Sequence, residues 1–145
     1  FKKMITIVME NAGATKCTVL LKRDGVWIQE ISKEISNKER SLKLEEIVFK
    51  EENRDRLDLP LSVVNYVLRT KKSVVLNNAI ENSSYANDEY IINEMPKSIL
   101  CFPFSSKGND FGIIYLENNL HINYLLHFLK YLLLQQCYIF QQLYL

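Results

Sequence analysis

Glycine is scarce in this chain, with four residues in 145: Gly13, Gly25, Gly108 and Gly112. No two fall in a G-x-G or G-x-x-x-x-G-K arrangement, so the usual glycine-built phosphate cradle is excluded. No G-x-S-x-G nucleophile elbow occurs either. Histidine is scarcer still, at His121 and His127 only. Six helical residues turn the chain by about 240°, so the two rings cannot share one ligand face, and H-x-x-x-H zinc binding is excluded. His127 is followed by Phe128-Leu129-Lys130, with no acidic neighbour, which favours a solvated or packed ring over a phospho-acceptor. The three cysteines, Cys17, Cys101 and Cys137, form no C-x-x-C pair, have no evident base partner, and their odd number leaves one unpaired. That usage fits a reducing cytoplasm. Acidic residues are plentiful, but no catalytic carboxylate pair stands out, and the sequence predicts a protein that is not an enzyme.

A surplus of either charge is also missing. Eighteen Lys and Arg against seventeen Asp and Glu leave a formal charge of +1, which argues against nonspecific nucleic-acid binding. The apolar stretch from Ile122 to Leu145 is long enough to cross a bilayer. It carries Asn123, His127, Lys130, Gln135, Gln136, Gln141 and Gln142, too many polar groups for a membrane span. No signal-peptide pattern opens the chain, and a start at Phe1 rather than Met predicts a piece of a larger protein.

What remains is globular: hydrophobic residues make up 48% and charged ones 24%. The length predicts one domain over 1–145 that buries roughly 68–70% of its unfolded surface and needs no disulfide or metal staple. Met4, Ile5, Val8 and Ala12 mark the apolar face of an opening helix, stopped by Gly13. Thr15–Lys22 and the return through Val26–Ile31 form a β-hairpin around Asp24-Gly25. The charged stretch Ser32–Asp58 predicts one polar edge strand running through Leu42, Leu44 and Ile47 to Phe49. Pro60 starts a helix over Leu61–Thr70, with Val63, Val64, Val67 and Leu68 on its apolar face. A short strand at Ser73–Leu76 and a polar loop from Asn77 follow; Asp88 caps a short helix through Ile91, Ile92 and Met95. Ser98–Ser105 and Phe111–Asn118 are apolar on both faces, as central strands covered on both sides are. The class is α+β, with strands between helices at both termini.

Three segments carry a family resemblance. Glu10–Ala14 with Cys17–Leu21 resembles the opening helix and first strand of a GAF sensory domain of the kind found in hybrid sensor kinases. Leu59–Val67 with Ser73–Ala79 is similar to the central helix and strand of that family, and Lys97–Phe104 with Gly112–Asn118 to its last two strands. The resemblance implies a twisted antiparallel sheet of about six strands, terminal helices on one face, and pocket helices and loop on the other. It implies a non-catalytic regulatory domain that binds a small ligand, or dimerises, to control an attached kinase or other output domain. Two alternatives stand beside it: a degenerate module that only dimerises, and a free-standing enzyme like the branch that reduces methionine sulfoxide. The latter chemistry needs closely set cysteines, and the three here lie on separate elements.

Departures from the family pattern narrow the ligand without assigning a cofactor. Cyclic-nucleotide binders often carry Asn-Lys, then Phe, then Asp-Glu four residues after the Phe. Asp88-Glu89 is present, but the residue four before Asp88 is Ser84, and Asn37-Lys38 lies far upstream, which argues against a cyclic nucleotide. No cysteine is followed by His, which argues against covalent bilin, and both histidines belong to the last helix, away from a haem pocket. Tyr66, Asn78, Tyr85, Asp88, Tyr90 and Cys101 are the candidate ligand residues, the tyrosines combining ring stacking with a hydrogen-bonding tip. Each also has a structural reading: packed tyrosines, an Asx turn at Asn78, a helix cap at Asp88, and a small buried hydrophobe at Cys101.

The last segment predicts a homodimer. Ile122, Leu129, Gln136 and Leu143 repeat every seven, as do Leu125, Leu132 and Ile139, with Leu126, Leu133 and Phe140 beside them. A helix that covers one sheet needs an apolar stripe roughly 100° wide, and this one is wider. The surplus fits a parallel bundle with a second copy, in which Gln136 fixes the register. Leu129→Glu combined with Leu132→Glu should separate the subunits, because two charges would be left in the seam. Light scattering of both forms at high micromolar concentration checks this; a monomeric unmodified chain would refute it.

Overall fold

Alternation along three strands sets the architecture. Cys17, Val19 and Leu21, Leu100, Phe102 and Phe104, and Ile114 and Leu116 gather in one buried cluster. The residues between them, including Leu20, Ile99, Cys101, Ile113 and Tyr115, gather in another. Side chains alternate across a strand, so these are the two faces of one sheet, each with its own core. The structure, a computed structural model, describes residues 6, 9–23, 26–35, 40–43, 47–49, 58–105 and 111–120. Its strands are β1 (Lys16–Arg23), β2 (Val26–Ile35), β3 (Arg40–Lys43), β4 (Ile47–Phe49), β5 (Val74–Leu76), β6 (Ser98–Ser105) and β7 (Phe111–Asn118). Two helices, α1 (Leu61–Thr70) and α2 (Glu89–Glu94), follow β4 and β5.

All pairings are antiparallel, in the order β3-β2-β1-β7-β6-β5, with β4 also on β2. Two short strands thus share the outer edge of β2 where one was expected. The reason lies in β2, where Val19 pairs with Ile31 and Leu20 with Gln29, leaving Glu30 as a bulge. Along the far side of β2, Ser32 pairs with Lys43 but Gln29 with Ile47. The two pairings therefore differ by one residue in register, and the change falls at the bulge. The Asp24-Gly25 turn lies outside the described residues.

One face carries helical residues 9–12, with Met9, Ala12 and Ala14 in its core. Gly13 ends that helix at φ 61°, with Gly13 N–H donating to the Glu10 carbonyl and Ala14 N–H to the Met9 carbonyl. This is the double-bonded αL stop that glycine supplies without steric cost. The final helix expected on this face, with Ile122, Leu125, Leu129, Leu132, Gln136, Ile139 and Leu143, lies outside the described residues. The other face carries α1 and α2, through Val63, Val64, Val67 and Ile91. Among the described residues no helix is long and apolar enough to cross a membrane.

Gly112 pairs with Phe104 across β6 and β7, and a Cβ there would lie less than 3.0 Å from three carbons of the Phe104 ring. The buried ring uses the glycine as its floor. Gly112→Ala should lower stability by about 1–3 kcal/mol through overpacking, and Phe104→Ala by about 3–5 kcal/mol through the cavity. The double variant should cost less than the sum, since the added methyl then enters the space the ring vacated. Urea unfolding of the four proteins checks this, and strict additivity would refute it.

Candidate functional site

Seven consecutive residues of β7, 112–118, are buried, so a charge on this strand has no access to water. Glu117 is one such charge, and its Cα partner across the ladder is Lys16 of β1; they are 1% and 2% exposed. Lys16 uses all three of its N–H donors: on the Asp58 carbonyl, on Asp58 Oδ2 at 2.8 Å, and on the Tyr90 hydroxyl at 3.0 Å. Tyr90 in turn donates to Glu117 Oε2 at 2.8 Å, and Tyr115 donates to the same oxygen at 2.6 Å. Asn119 Nδ2 reaches Glu117 Oε1 at 3.3 Å. A phenol from α2 therefore stands between two buried, opposite charges.

Burial pushes the Glu117 carboxyl above its ordinary range, against the pull of Lys16 and of the hydrogen bonds from Tyr115, Tyr90 and Asn119. Burial, then the Glu117 charge, push both the Tyr90 and Tyr115 phenols up, so each keeps its proton and remains a donor.

Asp88 joins the two helices of this face. Its Oδ1 accepts the N–H of Tyr90 at 2.9 Å and of Ile91 at 3.4 Å, capping α2. Its Oδ2 accepts the backbone N–H of Ser62 at 2.9 Å and the Ser62 hydroxyl. Helix α1 begins after Pro60, which offers no side-chain cap, so one carboxylate serves the N-termini of both helices.

Two clefts open around these helices. The smaller, about 500 Å³, is bordered by Asp58, Asp88, Glu89 and Glu94, with Tyr90 and Asn93, and no cation lines it among the described residues. No group of three or more metal-ligating side chains among the described residues is placed to hold an ion. The larger, about 870 Å³, lies between Trp27 of β2, α1 and the loop before α2, and is lined by Trp27, Tyr66, Tyr85, Ser62, Asn65, Leu68, Arg69 and Ser84. Among the described residues its lining supplies three aromatic rings, hydroxyl and amide groups and the Arg69 cation, and no carboxylate. Burial raises the Tyr85 phenol, with Tyr66 and Cys101 adding to the effect, which keeps that hydroxyl a donor.

The candidate residues divide accordingly. Tyr66 and Tyr85 line the larger cleft, Asp88 and Tyr90 the smaller, and Asn78 lines neither. Cys101 is fully buried in the core beneath α1, where burial pushes its thiol up. Lys16, Glu117, Trp27 and Arg69 were not among the sequence candidates. A signal existed for two of them: Lys16 and Glu117 are the charges at the ends of otherwise apolar runs, Cys17–Leu21 and Gly112–Leu116.

The profile of the GAF domain family matches residues 1–141. Over 59 residues, 41% of this chain, the sequence is 44% identical to hybrid signal transduction histidine kinase G of Dictyostelium discoideum, a match that spans 2% of that protein's length. Among solved structures the chain is similar to the GAF domain of a two-component sensor histidine kinase from Bacillus halodurans, at TM-score 0.59 and 15% identity over 99% of this chain and 95% of that one. It is also similar to the GAF domain from an Acinetobacter phosphoenolpyruvate-protein phosphotransferase, at TM-score 0.61 and 14% identity over 96% and 76%.

The raised Glu117 carboxyl has a consequence for stability. Folded Glu117 holds its proton to higher pH than the unfolded chain, in which a glutamate titrates at about 4.3. Its contribution is complete below that value and is lost as pH rises through the folded value. Compared with Glu117→Gln, the unmodified chain should therefore lose stability as pH rises from about 4. Urea midpoints of both proteins from about pH 3.5 to 7 check the sign; a relative gain with pH would refute it.

Proposed function

The chain belongs to the GAF domain family, and on that premise we propose that it is a non-catalytic sensory domain, acting in the cytoplasm, that binds a small molecule in the larger cleft and controls an attached kinase. The observation that carries this reading is the lining of that cleft: Trp27, Tyr66 and Tyr85 around a space of about 870 Å³, with Arg69 as its charged residue. The volume falls within the range of small-molecule sites, and rings with a few polar groups are what orient a ligand there. Stacking selects a planar ligand, and Arg69 selects an anionic substituent on it. The smaller cleft, bordered among the described residues by four carboxylates, is less suited to the same ligand. The kinase output rests on the Dictyostelium relative, which is a hybrid histidine kinase by name. Homodimerisation through the terminal helices belongs to the same proposal, and rests on the heptad series from Ile122.

Trp27 is the sole tryptophan of the chain and lies on the cleft wall, so its fluorescence reports occupancy. A panel of planar anions, such as nucleoside monophosphates, flavin mononucleotide and aromatic carboxylates, should contain members that quench Trp27 and raise the melting temperature. For those members Arg69→Gln should weaken binding about tenfold or more, with neutral analogues unaffected. Tyr85→Ala should weaken both classes. If no member of the panel changes either signal, the dimerisation-only reading takes its place.

A further inference from the structure

Resting on the reading of the larger cleft as the ligand site, we propose that its occupancy is passed along one hydrogen-bonded path to the junction where the start of β1 meets the end of β7, with Lys16 as the element that changes partner. Two residues of the cleft wall, Ser62 and Tyr85, bond directly to Asp88: the Ser62 N–H donates to Oδ2 at 2.9 Å, and the Asp88 N–H donates to the Tyr85 carbonyl at 3.0 Å. Asp88 holds the first turn of α2 through the Tyr90 N–H. The Tyr90 hydroxyl holds Lys16 at 3.0 Å and Glu117 at 2.8 Å. Lys16 opens β1 and Glu117 lies next to the end of β7.

The same two strand ends are laced together. Thr15 donates its N–H and its hydroxyl to the Glu117 carbonyl, at 2.8 and 3.2 Å, and Asn119 N–H donates to the Thr15 hydroxyl at 3.1 Å. Asn118 Nδ2 donates to the Gly13 carbonyl. The chain therefore enters and leaves the sheet at one tied junction, and the path from the cleft ends on it.

A path transmits only if some element in it has two positions. Lys16 and Glu117 face each other across adjacent strands, both more than nine-tenths buried, with the Tyr90 hydroxyl between them. When α2 is seated, Lys16 is held by Asp58 and Tyr90. When α2 withdraws, the ammonium and the carboxylate lose the hydroxyl that stands between them, and Lys16 turns to Glu117 and releases Asp58. A ligand that touches Ser62 and Tyr85 interacts differently with the two arrangements and so shifts their populations.

Tyr90→Phe tests this on the 145-residue chain without any ligand, so the result is independent of whether a ligand is found. The ring stays and the bridging hydroxyl goes. Amide hydrogen exchange followed by NMR should accelerate about tenfold or more at Ile92 and Met95 of the α2 region, and together with them at Thr15 and Asn119 of the junction. The β5–β6 pairing should keep its protection. Ser62→Ala, at the exposed rim of the cleft, should accelerate the same amides by a smaller factor. Phe104→Leu, on the opposite face, serves as a control for general loosening. Acceleration confined to Ile92 and Met95 overturns the proposal, as does a Phe104→Leu pattern that matches Tyr90→Phe at equal loss of global stability. A ligand screen that fails while the four amides still move together refutes the ligand reading and leaves the coupling standing.

Discussion

Burial of the middle strands on both faces is the constraint from which most of this structure follows. Cys17, Leu100 and Leu116 pack on one side of the sheet, and Leu20, Cys101 and Ile113 on the other. A strand in that position offers its polar side chains no water, so each must be satisfied from within. Among the described residues, Lys16, Thr18, Ser98, Glu117 and Asn118 are the buried polar ones, and all five belong to β1, β6 or β7. The lysine and the glutamate impose the largest demand, because an unpaired buried charge costs several kcal/mol. Asp58, Tyr90, Tyr115 and Asn119 answer it. Since Tyr90 stands on α2, the same demand seats that helix.

Helix α2 needs that seating. Six residues are too few to hold a helix in water, where nucleation is costly and each added hydrogen bond returns little. Three contacts compensate: the Asp88 cap at one end, Ile91 in the core beneath, and the Tyr90 hydroxyl on the buried pair. At its far end Met95 takes a left-handed conformation, φ 50°, and Lys71 does so after α1, φ 58°. Both close their helix by donating to a carbonyl of the last turn, an arrangement usually given to glycine. The two helices thus end alike and begin on a shared carboxylate, and displacing one changes the cap of the other.

The two clefts flank this shared cap and differ in sign. Asp88 contributes to the acidic one, and Ser62, bonded to Asp88, lines the aromatic one. The cap is thus the wall between a cleft bordered by carboxylates and a cleft lined by aromatic rings and Arg69. Its own charge is spent on four donors, from Ser62, Tyr90 and Ile91, so it acts on position more than on potential.

The elements with strong local signals were legible in the sequence. Helix α1 occupies Leu61–Thr70, and β6 and β7 occupy Ser98–Ser105 and Phe111–Asn118, as periodicity, Pro60 and the two-faced apolar pattern require. Gly13 as a helix stop and Asp88 as a helix cap follow from residue chemistry alone, because their partners lie within a few residues along the chain. What the sequence could not show is whatever depends on which strands become neighbours. The break between β3 and β4 answers a bulge in β2, set by its pairing with β1. Tyr66 and Tyr85 share a cleft with Trp27, while Asp88 and Tyr90 border another, a division that no spacing along the chain marks. Lys16 and Glu117 are 101 positions apart, and nothing local marks either as the other's partner; the antiparallel register of β1 and β7 alone sets them face to face. Local chemistry decided where the helices and the central strands begin and end, and long-range register, which no short window of residues contains, decided where the edge strand breaks and which side chains meet.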